Sequence, residues 1–198
     1  MTANQSTMIR EEQPFDVKAA VIAADGFEEV EGLTVVDLLR RAKFTCDIVS
    51  LSDADVVTGS HGIRIGADRR FSETDFDSYD AVILPGGLRG TDALKADERV
   101  LALLQHMYAE GKLTAAICAA PTVLAKAGLL NGRKATCYPG AESMLTGADF
   151  STETVVCDGT IITSRGAGTT IPFALSIIAY LDSEAHADEI ARKIVYFT

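Results

Sequence analysis

The chain has 198 residues, 47% of them hydrophobic, and 28 acids against 18 lysines and arginines give it a formal net charge of -10. That length supports one domain with a substantial core and is too short for two comfortable ones. The negative balance argues against nucleic acid and anionic membrane surfaces as partners, and no run of roughly 18 apolar residues suggests a membrane span.

The start, Met1 to Pro14, is polar and lacks the apolar segment of a signal peptide, so residues 1–15 read as a loosely held arm and 16–198 as a single domain. The four cysteines, Cys46, Cys118, Cys137 and Cys157, are widely spaced with no metal-type pairs, which fits a reducing cytoplasm. Val17–Ala23 is an apolar strand ended by Asp25-Gly26. Acids at Glu28, Glu29 and Glu31 and arginines at Arg40 and Arg41 then match a helix dipole, predicting a helix of about four turns. Cys46–Leu51 is a second strand. Residues 56–68 are short and irregular, with Gly59-Ser60-His61-Gly62 reading as a hairpin turn.

Ala81–Leu84 is another buried strand, followed at once by Pro85-Gly86-Gly87. A helix over Asp97–Glu110 carries Val100, Leu101, Leu104, Met107 and Tyr108 on one stripe and stops at Gly111. Leu113–Ile117 is a short buried strand, and from Ala119 the residues favour a helix with Pro121 in its first turn, ending at Gly128. Lys134–Tyr138 reads as a strand closed by Pro139-Gly140. Thr154–Cys157 and Ile161–Thr163 flank Asp158-Gly159, a hairpin signal. Residues 164–170 turn into a helix over Pro172–Leu181. Ser183 caps a last helix with Ala187, Ile190, Ala191, Ile194 and Val195 on one face. Strands alternating with helices imply an α/β, doubly wound, mostly parallel sheet, whose site lies beyond the carboxyl ends of its strands.

Cys118 sits at a strand-to-helix joint. In such a turn its side chain is exposed, and the helix N-terminus behind it favours the thiolate, which is the nucleophile. The competing reading is a small buried hydrophobe at a strand end. The backbone N–H groups of Gly86, Gly87 and Ala119 could form an oxyanion hole beside it, or Pro-Gly-Gly could be only a tight turn. Spacing does not choose among Glu28, Glu29 and Glu31 for an acid facing the sulfur. His106 falls on a polar face, His61 in a solvated turn and His186 on the surface, so no Cys-His pair is visible. Cys46 and Cys157 read as core. Cys137 could resolve an oxidised Cys118, but only if Tyr138 faces away from the pocket, because neighbouring strand residues alternate.

Taken together, Gly26–Glu31, Val36–Ala42, Ala81–Gly87, Ala115–Pro121 and Thr163–Thr169 resemble the ThiJ/PfpI superfamily, and within it the DJ-one branch. The resemblance implies a flavodoxin-like fold, a homodimer and a reactive cysteine at the elbow, with no cofactor or metal. By position Cys118 resembles that cysteine, Glu31 the acid that hydrogen-bonds to it, and Gly87 and Ala119 the backbone donors. It implies either a glyoxalase or deglycase acting on small reactive carbonyls, or a stress protein that senses oxidation through its cysteine. A role in thiamine precursor metabolism has no phosphate-binding signature behind it. Two departures stand out. Ala119 replaces the histidine that follows the cysteine in the peptidase-like branch, which disfavours peptidase activity. Tyr138 stands where the DJ-one branch often has a histidine, and a phenol is a poor base at neutral pH, although it can donate a hydrogen bond. Whether His61 or Arg41 reaches a site, in this or a second subunit, stays open.

Overall fold

The structure, a computed structural model, describes residues 16–196, so the arm expected over residues 1–15 lies outside the described residues. Eleven strands are present there: β1 (Lys18–Ala23), β2 (Thr45–Ser50), β3 (Val56–Thr58), β4 (Arg64–Gly66), β5 (Arg69–Arg70), β6 (Ala81–Leu84), β7 (Leu113–Ile117), β8 (Lys134–Ala135), β9 (Asp149–Phe150), β10 (Val155–Asp158) and β11 (Ile161–Ser164). The helices are α1 (Glu29–Arg41), α2 (Leu88–Ala96), α3 (Glu98–Ala109), α4 (Pro121–Lys126), α5 (Thr170–Leu181) and α6 (Glu184–Lys193).

Seven strands form one sheet in the order β10-β11-β7-β6-β1-β2-β5, parallel except where β10 pairs antiparallel with β11. Strands of such a sheet are buried on both faces and must be apolar throughout, as Ala81-Val-Ile-Leu84 and Leu113-Thr-Ala-Ala-Ile117 are. Alternate residues feed two separate cores. Ala20, Ile22, Val82, Leu84 and Ala116 pack with Leu94, Leu104, Met107 and Leu124 of α2, α3 and α4. Ala19, Val21, Ile83, Ala115 and Ile117 pack with Leu39, Phe173 and Ile177 of α1 and α5, and with Ile190 of α6. Each large side chain buried this way is worth ~1.5–3 kcal/mol.

Between β1 and β6 the strand order reverses, and the chain crosses to opposite faces from there. This is the doubly wound order 2-1-3-4-5 of flavodoxin-like sheets when β1, β2, β6, β7 and β11 are counted in sequence. Ligand crevices of such sheets open at that reversal, so the loops after β1, β6 and β7 are the ones to inspect.

Several sequence expectations need correction. The helix α2 begins directly after Gly87 and was not foreseen, because only Gly90, Thr91 and Leu94 of it are buried and no apolar stripe marks it. The strand expected over Lys134–Tyr138 is only Lys134–Ala135, since the Tyr138 N–H leaves the ladder to donate to the Cys118 carbonyl. Cys157 is exposed on β10 rather than core. His186 is not a surface residue. Its side chain is 12% exposed, with Nδ1 2.8 Å from Asp182 and the ring edge-on to Phe44. Val195, expected on the inner face of α6, is 69% exposed just beyond the helix end, where the chain turns with φ +59°.

Candidate active site

Three loop segments converge at the carboxyl ends of the strands, and each brings one component. The first is the end of β7. Cys118 has φ +66°, a left-handed conformation that costs a residue with a Cβ of order 1–3 kcal/mol. Hydrogen bonds on both sides hold it there. Its N–H donates to the Ser164 carbonyl at 3.1 Å, and its carbonyl accepts from the Tyr138 N–H at 2.8 Å. The thiol is thereby turned out of the sheet and half-buried, with Pro121 opening α4 behind it.

The second component is Glu31, on the first turn of α1. It is 1% exposed, and its Oε2 accepts the Gly86 N–H at 2.8 Å. The carboxyl also shares a hydrogen bond with the Cys118 thiol. Glu29, two residues earlier, points nearly the opposite way around the helix and serves a different purpose. It accepts from the N–H groups of His61 and Ile63, from the Ser60 hydroxyl and from His61 Nδ1, clasping the β3–β4 hairpin to the start of α1. These bonds hold its carboxyl down at about 2 against the pull of burial. The structure therefore makes the choice among the three acids that spacing could not.

The third component is the Pro85-Gly86-Gly87 turn after β6. A Cβ on Gly86 would lie 2.5 Å from Glu31 Oε2 and 2.6 Å from the Cys118 Cβ, so only glycine permits the approach. Gly87 has φ +86° and its backbone N–H, like that of Ala119, points to the sulfur. The Gly86 N–H, expected as a further oxyanion donor, is instead committed to Glu31.

Burial raises the Glu31 carboxyl to about 7, opposed by its bonds to Cys118 and Gly86 and supported by the charge of Glu28. Burial and the Glu31 charge push the Cys118 thiol up to about 12, opposed by the Ala119 and Gly87 N–H groups. The helix-favoured thiolate expected from sequence is thus outweighed while Glu31 is ionised. When Glu31 is protonated, the same carboxyl becomes a donor to sulfur and the two backbone N–H groups act unopposed.

Tyr138 is 54% exposed at the mouth. Its ring runs alongside Gly166, where an added Cβ would be 3.4 Å from the tyrosine ring and 4.0 Å from Glu31 Oε1. Cys137 points into the core on the opposite face of the sheet from the one Cys118 packs against, which removes it as a resolving thiol. His61 belongs to the Glu29 clasp, and its Nδ1 is 3.7 Å from Glu28. His106 is exposed and bonded to Asp77, and Arg41 pairs with Asp37, so neither joins this group. Among the described residues one set of potential metal ligands converges, Glu28, Glu29 and His61, but the Glu29 oxygens already accept four hydrogen bonds. Two other clefts lie elsewhere. One of about 680 Å³ runs between α5 and α6, and one of about 650 Å³ lies between α2, α3 and the ends of β1 and β2. The first holds the Cys157 thiol with Glu184 and Asp188, and neither holds Cys118 or Glu31.

Comparison with known proteins agrees with this geometry. A profile described as the DJ-1/PfpI family matches residues 17–180. The chain belongs to the DJ-1/PfpI family. It is 39% identical over 179 residues to Protein dj-1beta of Drosophila melanogaster, covering 89% of this chain and 96% of that one. It is 34% identical over 154 residues to a protein named as a deglycase from Pyrococcus abyssi, covering 77% and 92% of the two chains. The crystal structure of Drosophila melanogaster DJ-1beta superposes with a TM-score of 0.89 at 38% identity, over 93% of this chain and all of that one. No helix among the described residues is long and apolar enough to cross a membrane.

Proposed function

We propose that this chain is a cysteine-dependent enzyme, needing no cofactor, that acts on small reactive carbonyls such as methylglyoxal. The observation that carries the reading is the hydrogen-bonded Glu31–Cys118 pair with the Gly87 and Ala119 N–H groups aimed at the sulfur. Sulfur adds to the aldehyde carbon as ionised Glu31 takes the thiol proton and passes it to the carbonyl oxygen, giving a hemithioacetal and leaving Glu31 ionised. Ionised Glu31 then removes the hydrogen from that carbon, and returns a proton to the neighbouring carbon. The resulting thioester is hydrolysed by water to lactate and the free thiol. A carboxyl near 7 suits both halves of this relay at neutral pH. Tyr138 lends at most a hydrogen bond, so the proton transfers fall on Glu31.

The relative named as a deglycase supports carbonyl chemistry, and release of an amine from a glycated adduct would use the same attack on carbon. The alternative is an oxidation sensor with little turnover. It requires a thiolate at rest. Burial and the Glu31 charge raise the Cys118 thiol, and the carboxyl hydrogen-bonded to it supplies the proton relay that turnover needs, which favours the enzyme reading. The working unit is proposed to be a homodimer, with half-exposed Val30 and Ile63 around the Glu29 clasp offering an apolar surface to a second copy.

Methylglyoxal consumption with lactate detection tests the reading in wild type, Cys118→Ala and Tyr138→His. Turnover in wild type and none in Cys118→Ala is expected. Full turnover without the thiol would overturn the proposal, and activity confined to Tyr138→His would mean that the wild-type site lacks a needed base.

A further inference from the structure

The cleft of about 680 Å³ between α5 and α6 takes no part in the chemistry proposed for Cys118 and Glu31. Asp182 and Ser183 alone join the two helices, which therefore pack as an antiparallel pair. Its walls are aliphatic, with Leu175 and Ala179 from α5 and Ala187 and Ala191 from α6. Apolar walls with a few placed polar groups are what a small molecule needs. Here the polar groups are ordered along the cleft. Tyr180 ends the α5 side, 43% exposed, and Glu184 opens α6 across the turn from it. Asp188 and Arg192 also line the cleft and follow Glu184 at four-residue steps, each about 6 Å further along the axis. One end of the cleft thus carries two carboxylates, and its arginine stands about 12 Å along the helix from the first of them.

The side chains of Glu184, Asp188 and Arg192 make no hydrogen bond or ion pair with any other described residue. Their neighbours on α6 are already matched, Lys193 with Glu189 at 2.6 Å and His186 with Asp182 at 2.8 Å. Cys157 on β10 is exposed and lines the same cleft at its acidic end, where the Glu184 charge acts on the thiol. Asp158 beside it is bonded to Arg133 at 3.0 Å. Cys46 and Cys137 are buried and Cys118 lies in the elbow, so Cys157 is the thiol that a molecule held in this cleft meets.

We propose that the α5–α6 cleft is a second ligand site, that it takes small aminothiols in their disulfide form, and that Cys157 is the residue they modify. The ammonium group pairs with Glu184 and Asp188, which have no other partner, and the aliphatic arms lie along the alanine-lined walls. Cys157 gives its proton to solvent, and the thiolate attacks the nearer sulfur of the ligand. The S–S bond breaks, and the other half leaves as a thiolate that takes up a proton. Cys157 is oxidised and the departing sulfur reduced, so the disulfide is itself the oxidant. The site shares no residue with the carbonyl reading and does not depend on it.

Two disulfides of opposite charge test it, cystamine as a dication and dithiodiglycolate as a dianion, at neutral pH and low salt. Mixed disulfide at Cys157 is followed by peptide mapping, with 2-mercaptoethanol as the reference thiol. Both reagents meet the same sulfur, so its ionisation cancels from the ratio of their rates. The cystamine-to-dithiodiglycolate ratio at Cys157 is expected to exceed that of the reference roughly tenfold. The cystamine rate should also level off in the millimolar range as the cleft fills. Glu184→Gln combined with Asp188→Asn should bring the ratio back to within about twofold of the reference. A wild-type ratio equal to the reference would overturn the proposal, as would a ratio that the double variant leaves unchanged. Cystamine rates that stay proportional to concentration throughout would overturn it too, because an exposed thiol without a binding site behaves that way.

Discussion

Replacing Glu31 by glutamine is expected to stabilise the folded protein at alkaline pH while removing the proposed proton relay. The fold raises this carboxyl from 4.5 to about 7 because it is 1% exposed. A raised carboxyl binds its proton more tightly in the folded than in the unfolded state. Wild-type stability is then untouched below about 4.5 and falls as pH rises toward 7, after which the loss is constant. With these two values the loss is about 1 kcal/mol at pH 5 and about 3 kcal/mol at pH 8. Glutamine keeps an oxygen for the Gly86 N–H and does not titrate. Any fixed cost of burying its amide is equal at both pH values, so the difference between them isolates the charge. Urea unfolding of both proteins at fixed concentration should show the variant gaining about 2 kcal/mol on wild type between pH 5 and pH 8, or roughly 4–8 °C in Tm for a chain of this size. If the gap between variant and wild type does not change with pH, Glu31 is not held against a burial penalty and the account of the site is wrong.

Two glycine variants should behave oppositely. Gly86→Ala drives a Cβ into Glu31 and Cys118, neither of which can yield, and should cost ~1–3 kcal/mol in urea unfolding. Gly166→Ala meets only ordinary contacts in an extended backbone, so stability should be unchanged or up to about 1 kcal/mol higher, while methylglyoxal turnover falls because the methyl fills the space between Tyr138 and Glu31. Equal destabilisation by both would contradict the geometry. The Glu29 clasp raises His61 above its usual 6.5, so its contribution is present below 6.5 and lost as pH rises through the raised value. His61→Ala should accordingly speed hydrogen exchange of the hairpin amides more at pH 6 than at pH 9, and an effect independent of pH would show that the ring's charge plays no part. Leu104→Ala, in the core beneath α3, should cost about 2–5 kcal/mol by urea unfolding, and a loss under 1 kcal/mol would mean that the core is looser than described.

Most of the fold was legible because parallel strands must be apolar on both faces and glycine or proline ends them, as at Asp25-Gly26 and Pro85-Gly86-Gly87, while Gly111 stops the helix before β7. What escaped had no pattern to read. The α2 helix buries three residues of nine, and β5 has two residues paired to β2 at Val49 and Ser50. Cys157 and His186 were misplaced for a common reason. Local periodicity says which face a residue occupies but not what stands opposite it: Phe44, between α1 and β2, packs edge-on against His186, while Cys157 is exposed among the described residues. At the site, Cys118 could be read from its joint between strand and helix. Glu31 could not be separated from Glu29 by spacing, since both are buried and sit on opposite sides of one helical turn. Only the tertiary arrangement shows that one side faces the β3–β4 hairpin and the other the ends of β6 and β7.

The separation of those two acids also explains why the site tolerates so much local cost. Cys118 sits in a left-handed conformation, Glu31 is buried with its charge uncompensated, and Gly86 forfeits a side chain, all within one cluster. Each feature alone would be selected against in a position that mattered only for stability. Glu29, equally buried and two residues away, shows the ordinary solution, a carboxylate with both oxygens saturated and its acidity increased. Glu31 has one backbone donor and a thiol in place of that set. A fold able to satisfy one buried acid fully and leaving its neighbour poised near neutrality has placed its strain where the proposed relay moves a proton, which is the physical reason to place the proposed chemistry at Cys118 and Glu31.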